Sequence, residues 1–250
     1  MQNKRLQHQS FESGALILLV SAVVVKIIGA FFKIPLSNLL GDTGFGQFSS
    51  AYDLFTPFYV MAMSGMPVAL SRLISNAAQN ERYGEVTLLK KLGRGILLKG
   101  GIFSLVCFIV LIPILSKAIG DFGNTVYGLF AVAPSILMFF IMSYYRGIYE
   151  GLESMTPTAI SDLIEAAGKL ILGYGFAYIT LKLTQNTAFA AAAALLGITV
   201  GVAAAMLYLK LKYKKHGDVI TRQQLGFTPE PTDTAALKKN LISVLLPITL

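Results

Sequence analysis

"VVVKIIGAFFKIP" (residues 23–35) lies within an apolar stretch, 14–40, long enough to cross a bilayer, yet it carries two ammonium groups, Lys26 and Lys33. Its reading decides the fold, because the stretch is either a helix of a soluble core or a membrane span with a polar purpose. The rest of the chain settles the choice. The segments 54–71, 100–116, 122–145 and 183–209 contain no Asp, Glu, Lys or Arg. Each matches the roughly 20 residues, rising about 1.5 Å apiece, that cover about 30 Å of hydrocarbon. Soluble domains do not repeat such runs. Adding 14–40 and 157–181, which are as long but hold internal charges, gives an all-α polytopic membrane bundle. Its six expected spans lie at about 14–40, 47–72, 96–118, 124–146, 157–182 and 184–209. Residues 240–250 read as the start of a seventh.

Charge orients the bundle. The chain carries 21 Lys and Arg against 13 Asp and Glu. With the N-terminus inside, 16 of the 21 fall on the inner side and 2, Lys117 and Lys182, on the outer, while Lys26, Lys33 and Lys169 lie within spans. That asymmetry follows the positive-inside rule. It assigns a cytoplasmic N-terminus and makes the basic residues topological, with no nucleic-acid partner implied. The apolar stretch after Lys4 and Arg5 is too long for a cleavable signal and lacks a small-x-small site, so it reads as a retained first span. Residues 1–209 form the expected N-terminal lobe. The charged, proline-punctuated segment 210–239 reads as a cytoplasmic linker.

Signatures of soluble chemistry are absent. The chain has no GxxxxGK[ST], HExxH or DxD, and its two histidines, His8 and His216, fall in expected cytoplasmic segments, so no enzymatic activity, cofactor or metal site is expected. The single Cys107 allows no intrachain disulfide and reads as packing. Gly197 and Gly201, at GxxxG spacing, allow a close helix approach, more readily within the chain than between two chains.

The charges inside the spans carry the functional signal, because an ionisable group in hydrocarbon costs about 3 kcal/mol on insertion scales unless it finds a partner, water or an interface. Counted from Gly14, Lys26 lies roughly 18 Å deep and Lys33 roughly 28 Å, near the outer interface. Lys33 is expected to pair with Asp53 across the first hairpin. In "TPTAISDLIEAAGKLILG" (156–173), Asp162, Glu165 and Lys169 fall within about 60° on one helical face. Either Glu165 pairs with Lys169 structurally or that face lines a wet cavity. Lys26 and Lys33, seven residues apart, share a face of span one, and that face is expected to look inward.

The segments "SAVVVKIIGAFFKIPLSNLLGDTGFGQFSSAYDLF", "SGMPVALSRLIS" and above all "YYRGIYEGLESMTPTAISDLIEAAGKL" resemble the polysaccharide-transporter branch of the multidrug/oligosaccharidyl-lipid/polysaccharide flippase superfamily, the stage V sporulation protein B-like and lipid II flippase-related group. The resemblance covers essentially the whole chain. It implies about fourteen spans in two lobes that move undecaprenyl-pyrophosphate-linked sugars by alternating access. This chain would then be the N-terminal lobe of a larger transporter, a fragment whose C-terminal lobe lies elsewhere. Where lipid II flippases carry arginines in the first span, this sequence has Lys26 and Lys33, and an ammonium binds phosphate without a bidentate fork.

The expectation is thus a cell-membrane flippase of a lipid-linked oligosaccharide or peptidoglycan precursor. Lys26, Lys33 and Lys169 would bind the substrate, while Asp53, Asp162 and Glu165 balance charge or couple an ion. The alternatives are a drug or cation antiporter of the same superfamily, whose acids would be the working site, and a non-catalytic membrane scaffold in envelope or spore biogenesis. Three intramembrane cations against three anions do not choose between the first two.

Overall fold

The computed structural model describes residues 11–119 and 122–216. Among these the chain is helical nearly throughout, without a strand. Helix α1 (Phe11–Val60) is broken at Gly41, whose φ of 65° and ψ of −177° are open to a residue without Cβ. In an unbroken helix the rings of Phe32 and Phe48 would stand about 24 Å apart; their centroids are 5.8 Å apart, so the chain doubles back at Gly41. The gap expected between the first two spans contracts to one residue, Gly41, and the second arm of α1 resumes at once. It continues through a π-helical turn (Met61–Gly65) into α2 (Met66–Gln79).

Proline explains that turn. Pro67 has no N–H to offer the carbonyl four residues back and its ring crowds it, so the helix widens by one residue just before it. The Ser143 hydroxyl donates to the Ala62 carbonyl within the widened turn. Ser143→Ala removes this buried bond, and the expected outcome is a loss of about 1 kcal/mol, read as a lower unfolding midpoint in detergent.

After a turn at 80–82 come α3 (Tyr83–Ile119) and α4 (Phe122–Gly151). Helix α5 (Thr156–Gly168), a second π-turn (Lys169–Gly173) and α6 (Tyr174–Thr184) form one continuous rod. Gln185 then takes a left-handed conformation. The Asn186 carboxamide accepts from the N–H groups of Ala188 and Phe189 and caps the start of α7 (Thr187–His216).

Four helical stretches among the described residues are long and apolar enough to cross a membrane: Glu12–Gln79, Tyr83–Lys117, Asn124–Gly151 and Thr187–Lys215. The first is the doubled-back hairpin. The 156–184 rod is as long but carries Asp162, Glu165, Lys169 and Lys182. Helices α4 and α7 are the centre, with α1, α2 and α3 against α4 and the α5–α6 rod against α7. Aromatic side chains fill the interior, among them Phe32, Phe55, Phe139 and Phe140. Large apolar side chains also face outward, as with Phe103 at 74% exposure and Phe31 at 65%. This is a membrane helical bundle: lipid is the solvent for those faces, and helices can meet it because their backbone polar groups are bonded chiefly within each helix.

The helices outrun the expected spans, since α3 begins at Tyr83 rather than near 96 and α7 ends at His216 rather than near 209. Hydrocarbon thickness limits the apolar run, but helical bonding continues as long as the residues permit. The first residues of the expected linker therefore belong to α7. The rest of 210–239 and the expected seventh span at 240–250 lie outside the described residues.

Gly197 and Gly201 meet the α5–α6 rod. A Cβ on Gly197 would come within 2.5 Å of the Gly173 Cα, and one on Gly201 within 3.0 Å of the Gly168 Cα. The close approach lies within the chain.

Candidate functional site

The turn between α4 and α5 sets the site. Residues 152–155 reverse the chain, so a residue in the last turns of α4 faces one equally far into α5. Arg146 therefore stands opposite Ser161 and Asp162. Its Nη1 lies 2.7 Å from Asp162 Oδ1, its Nη2 3.3 Å from Glu165 Oε2, and its Nε donates to Ser161 Oγ at 3.1 Å. The guanidinium fork thus spans three side chains of one helical face, which an ammonium could not do. Arg146 is 6% exposed. Among inner-side charges it reads as topological from the sequence, and the structure buries it, because α4 runs five residues past it to Gly151.

One turn further along α5, Lys169 opens the π-turn. Its ammonium donates to the Tyr52 hydroxyl at 3.0 Å and lies 4.3 Å from the Tyr52 ring centroid and 5.3 Å from that of Phe32. Its partners are neutral, a hydroxyl and two aromatic faces. The considered pair of Glu165 with Lys169 does not form, because Arg146 takes the Glu165 carboxylate.

The two carboxylates, Lys169 and Tyr52 border one cavity of about 140 Å³. Asp162, Glu165 and Lys169 line it from the α5–α6 rod, Tyr52 and Tyr59 from the second arm of α1, and Val25 and Gly29 from the first arm. The common face expected for Asp162, Glu165 and Lys169 is the one the structure brings to the cavity. Arg146 and Tyr52 are the residues that sequence reasoning missed. Both had a signal: Arg146 is the basic residue level with the acids across a short turn, and Tyr52 belongs to the aromatic series Phe48, Tyr52, Phe55, Tyr59 at helical spacing.

The first span departs from expectation. Lys26 and Lys33 share a face, but that face is exposed, among Val23 at 50%, Ile27 at 51% and Ile34 at 63%. Val25, Gly29, Phe32 and Leu36 point into the bundle instead. Which face of a lone helix turns inward depends on its neighbours, and the aromatic interior claimed the Phe32 face. Nor do Lys33 and Asp53 pair; both are exposed. With Phe32 against Phe48, Asp53 falls level with about residue 27, some six residues or about 9 Å from Lys33. The tight reversal at Gly41 carries Asp53 deeper than the longer gap expected between the first two spans would.

Among the described residues no group of three or more His, Cys, Asp or Glu could hold a metal ion.

Three curated relatives come from Bacillus subtilis (strain 168). Stage V sporulation protein B is 28% identical over 212 residues, covering 83% of this chain and 40% of that protein. Lipid II flippase MurJ is 26% identical over 208 residues, covering 78% of this chain and 38% of that protein. The uncharacterized membrane protein YabM is 26% identical over 196 residues, covering 78% and 36%. The chain thus spans about two fifths of the length of the relatives it matches. No solved structure matches it. The polysaccharide biosynthesis protein family matches residues 12–229, a stretch that contains the whole Arg146, Asp162, Glu165 and Lys169 constellation, and the chain belongs to that family.

Proposed function

We propose that this chain is the N-terminal lobe of a flippase for an undecaprenyl-pyrophosphate-linked oligosaccharide or peptidoglycan precursor. One observation carries the reading: Arg146 holds both carboxylates of the cavity, while the Lys169 ammonium contacts a hydroxyl and two aromatic rings and has no carboxylate within ion-pair distance among the described residues. Three cations against three anions leave a sequence ambiguous; this partition favours an anionic cargo. A cation antiporter needs acids open to its cargo, and here they are engaged; the unpaired ammonium is the group ready for a pyrophosphate oxygen. The names of the relatives, one a lipid II flippase, support the same class of cargo.

The exposed charges fit a two-lobe arrangement. Lys26, Lys33 and Asp53 lie on open faces of the bundle, where bare lipid contact would be unfavourable by about 3 kcal/mol per charge. A second lobe packed across those faces would enclose them in a hydrated gap, with Lys26 a further cation for the diphosphate. In this reading the bundle crosses the membrane six times with its N-terminus cytoplasmic, and a cysteine placed at Asp42 is labelled from outside only.

The test is translocation of the lipid-linked sugar by the complete transporter, measured together with protein abundance. Lys169→Met should cut translocation about tenfold or more at unchanged abundance, as expected for loss of one charge-assisted bond of about 1.5–3 kcal/mol, while Lys169→Arg retains most of it. A Lys169→Met protein that translocates at the unaltered rate removes the cavity from the transport path.

A further inference from the structure

A second cavity, of about 150 Å³, lies on the far side of α4 from the first, among α3, α4 and α7. Arg94 of α3 and Lys210 of α7 stand at its rim, Tyr144 and Tyr145 of α4 at its back, and Leu97 and Phe140 along its apolar wall. Three boundaries coincide there: the uncharged run of α3 begins just beyond Lys99, that of α4 ends at Tyr145, and that of α7 ends at Leu209. The cavity therefore sits at the membrane–water interface, where tyrosines and basic residues collect. Tyr145 meets Tyr144 edge-on and Tyr213 at a tilt, at 5.2 and 5.3 Å between centroids, so the aromatic wall is packed on both sides.

Arg94 and Lys210 are both exposed, and neither has a carboxylate partner among the described residues. Two unpaired cations thus face one concavity. The surface next to it runs deeper into the membrane as an apolar strip, Leu98, Ile102 and Val106 on α3 and Leu207 on α7, all between 40% and 54% exposed. Free phosphate would use the cations and leave that strip unexplained. A headgroup phosphate with acyl chains attached uses both.

We propose that this cavity is a binding site for an anionic phospholipid of phosphatidylglycerol type, with its phosphate between Arg94 and Lys210 and its acyl chains along the α3–α7 strip. The site is separate from the transport cavity and stands whether or not the transport reading does. Basic pockets between spanning helices recognise anionic headgroups at about 1 kcal/mol per Lys or Arg near the surface, equivalent to about fivefold in affinity per charge and about thirtyfold for two.

Native mass spectrometry of the full chain in detergent tests it, with phosphatidylglycerol, phosphatidylcholine and inorganic phosphate as separate probes. Phosphatidylglycerol should remain bound under activation that strips phosphatidylcholine. Arg94→Gln with Lys210→Gln should weaken its retention about thirtyfold without changing that of phosphatidylcholine, and Arg94→Lys with Lys210→Arg should restore it. Lys169→Met, in the other cavity, should leave it unaltered. Equal retention of both lipids, an unchanged affinity in the double Gln variant, or displacement of the lipid by millimolar inorganic phosphate would each overturn the proposal.

Discussion

Arg146→Met is expected to collapse the abundance of the protein, and Arg146→Met combined with Asp162→Asn and Glu165→Gln is expected to restore much of it. The guanidinium is 6% exposed and bonded to both carboxylates and to Ser161. Removing it strands two anions within a membrane bundle, and breaking a buried pair in this way costs about 3–5 kcal/mol. That is a large part of the roughly 5–15 kcal/mol by which a typical protein is stable. Replacing the whole cluster by neutral groups leaves no uncompensated charge, so the triple variant escapes most of the penalty. Quantified membrane abundance and the unfolding midpoint in detergent read the result. A triple variant no more stable than Arg146→Met alone would show that the guanidinium acts through packing of its stem.

The second large effect is expected at the glycine contact of α7 with the α5–α6 rod. Gly197→Ala places a Cβ 2.5 Å from the Gly173 backbone, and Gly168→Ala places one 2.5 Å from the Gly201 Cα. Backbone cannot rotate away as a side chain can, so the helices must separate. Overpacking costs about 1–3 kcal/mol, against the gain of up to about 1 kcal/mol that alanine brings to a helix interior; packing wins, and both variants should unfold at lower temperature. Gly95 is the control. It sits in α3, and a Cβ added there would meet nothing within 4 Å, so Gly95→Ala should be neutral or stabilising. Equal unfolding midpoints for Gly197→Ala and Gly95→Ala would mean that the helices part without penalty. Separation there should also disturb Lys169, which opens the π-turn between Gly168 and Gly173.

How the charges divide shows where reading from residues alone stops. The common face of Asp162, Glu165 and Lys169 was legible because helical geometry makes neighbours of positions three and seven apart whatever surrounds them. The partner of that face was not, since Arg146 ends an uncharged run and an Arg in that position is equally consistent with a loop. The length of α4 beyond the apolar run and the short turn at 152–155 decide it. Lys26 and Lys33 illustrate the opposite failure. Their shared face followed from periodicity, but its direction did not, and the packing of Phe32 against Phe48 and of Gly173 against the Phe32 ring turns it outward.

What the sequence by itself determined is the class of molecule: helices long and apolar enough for a bilayer, a basic bias between their ends, and a set of ionisable groups too costly to be incidental. These follow from hydrocarbon thickness and the free energy of burying charge, which act on each segment separately. Only the tertiary structure decided which charges meet. Ion pairing depends on distances of a few ångströms between segments far apart in the chain, and those are set by one glycine reversal, two widened helical turns and a glycine-on-glycine contact; only the last leaves a spacing in the sequence, Gly197 and Gly201, and that spacing does not say which helix they meet.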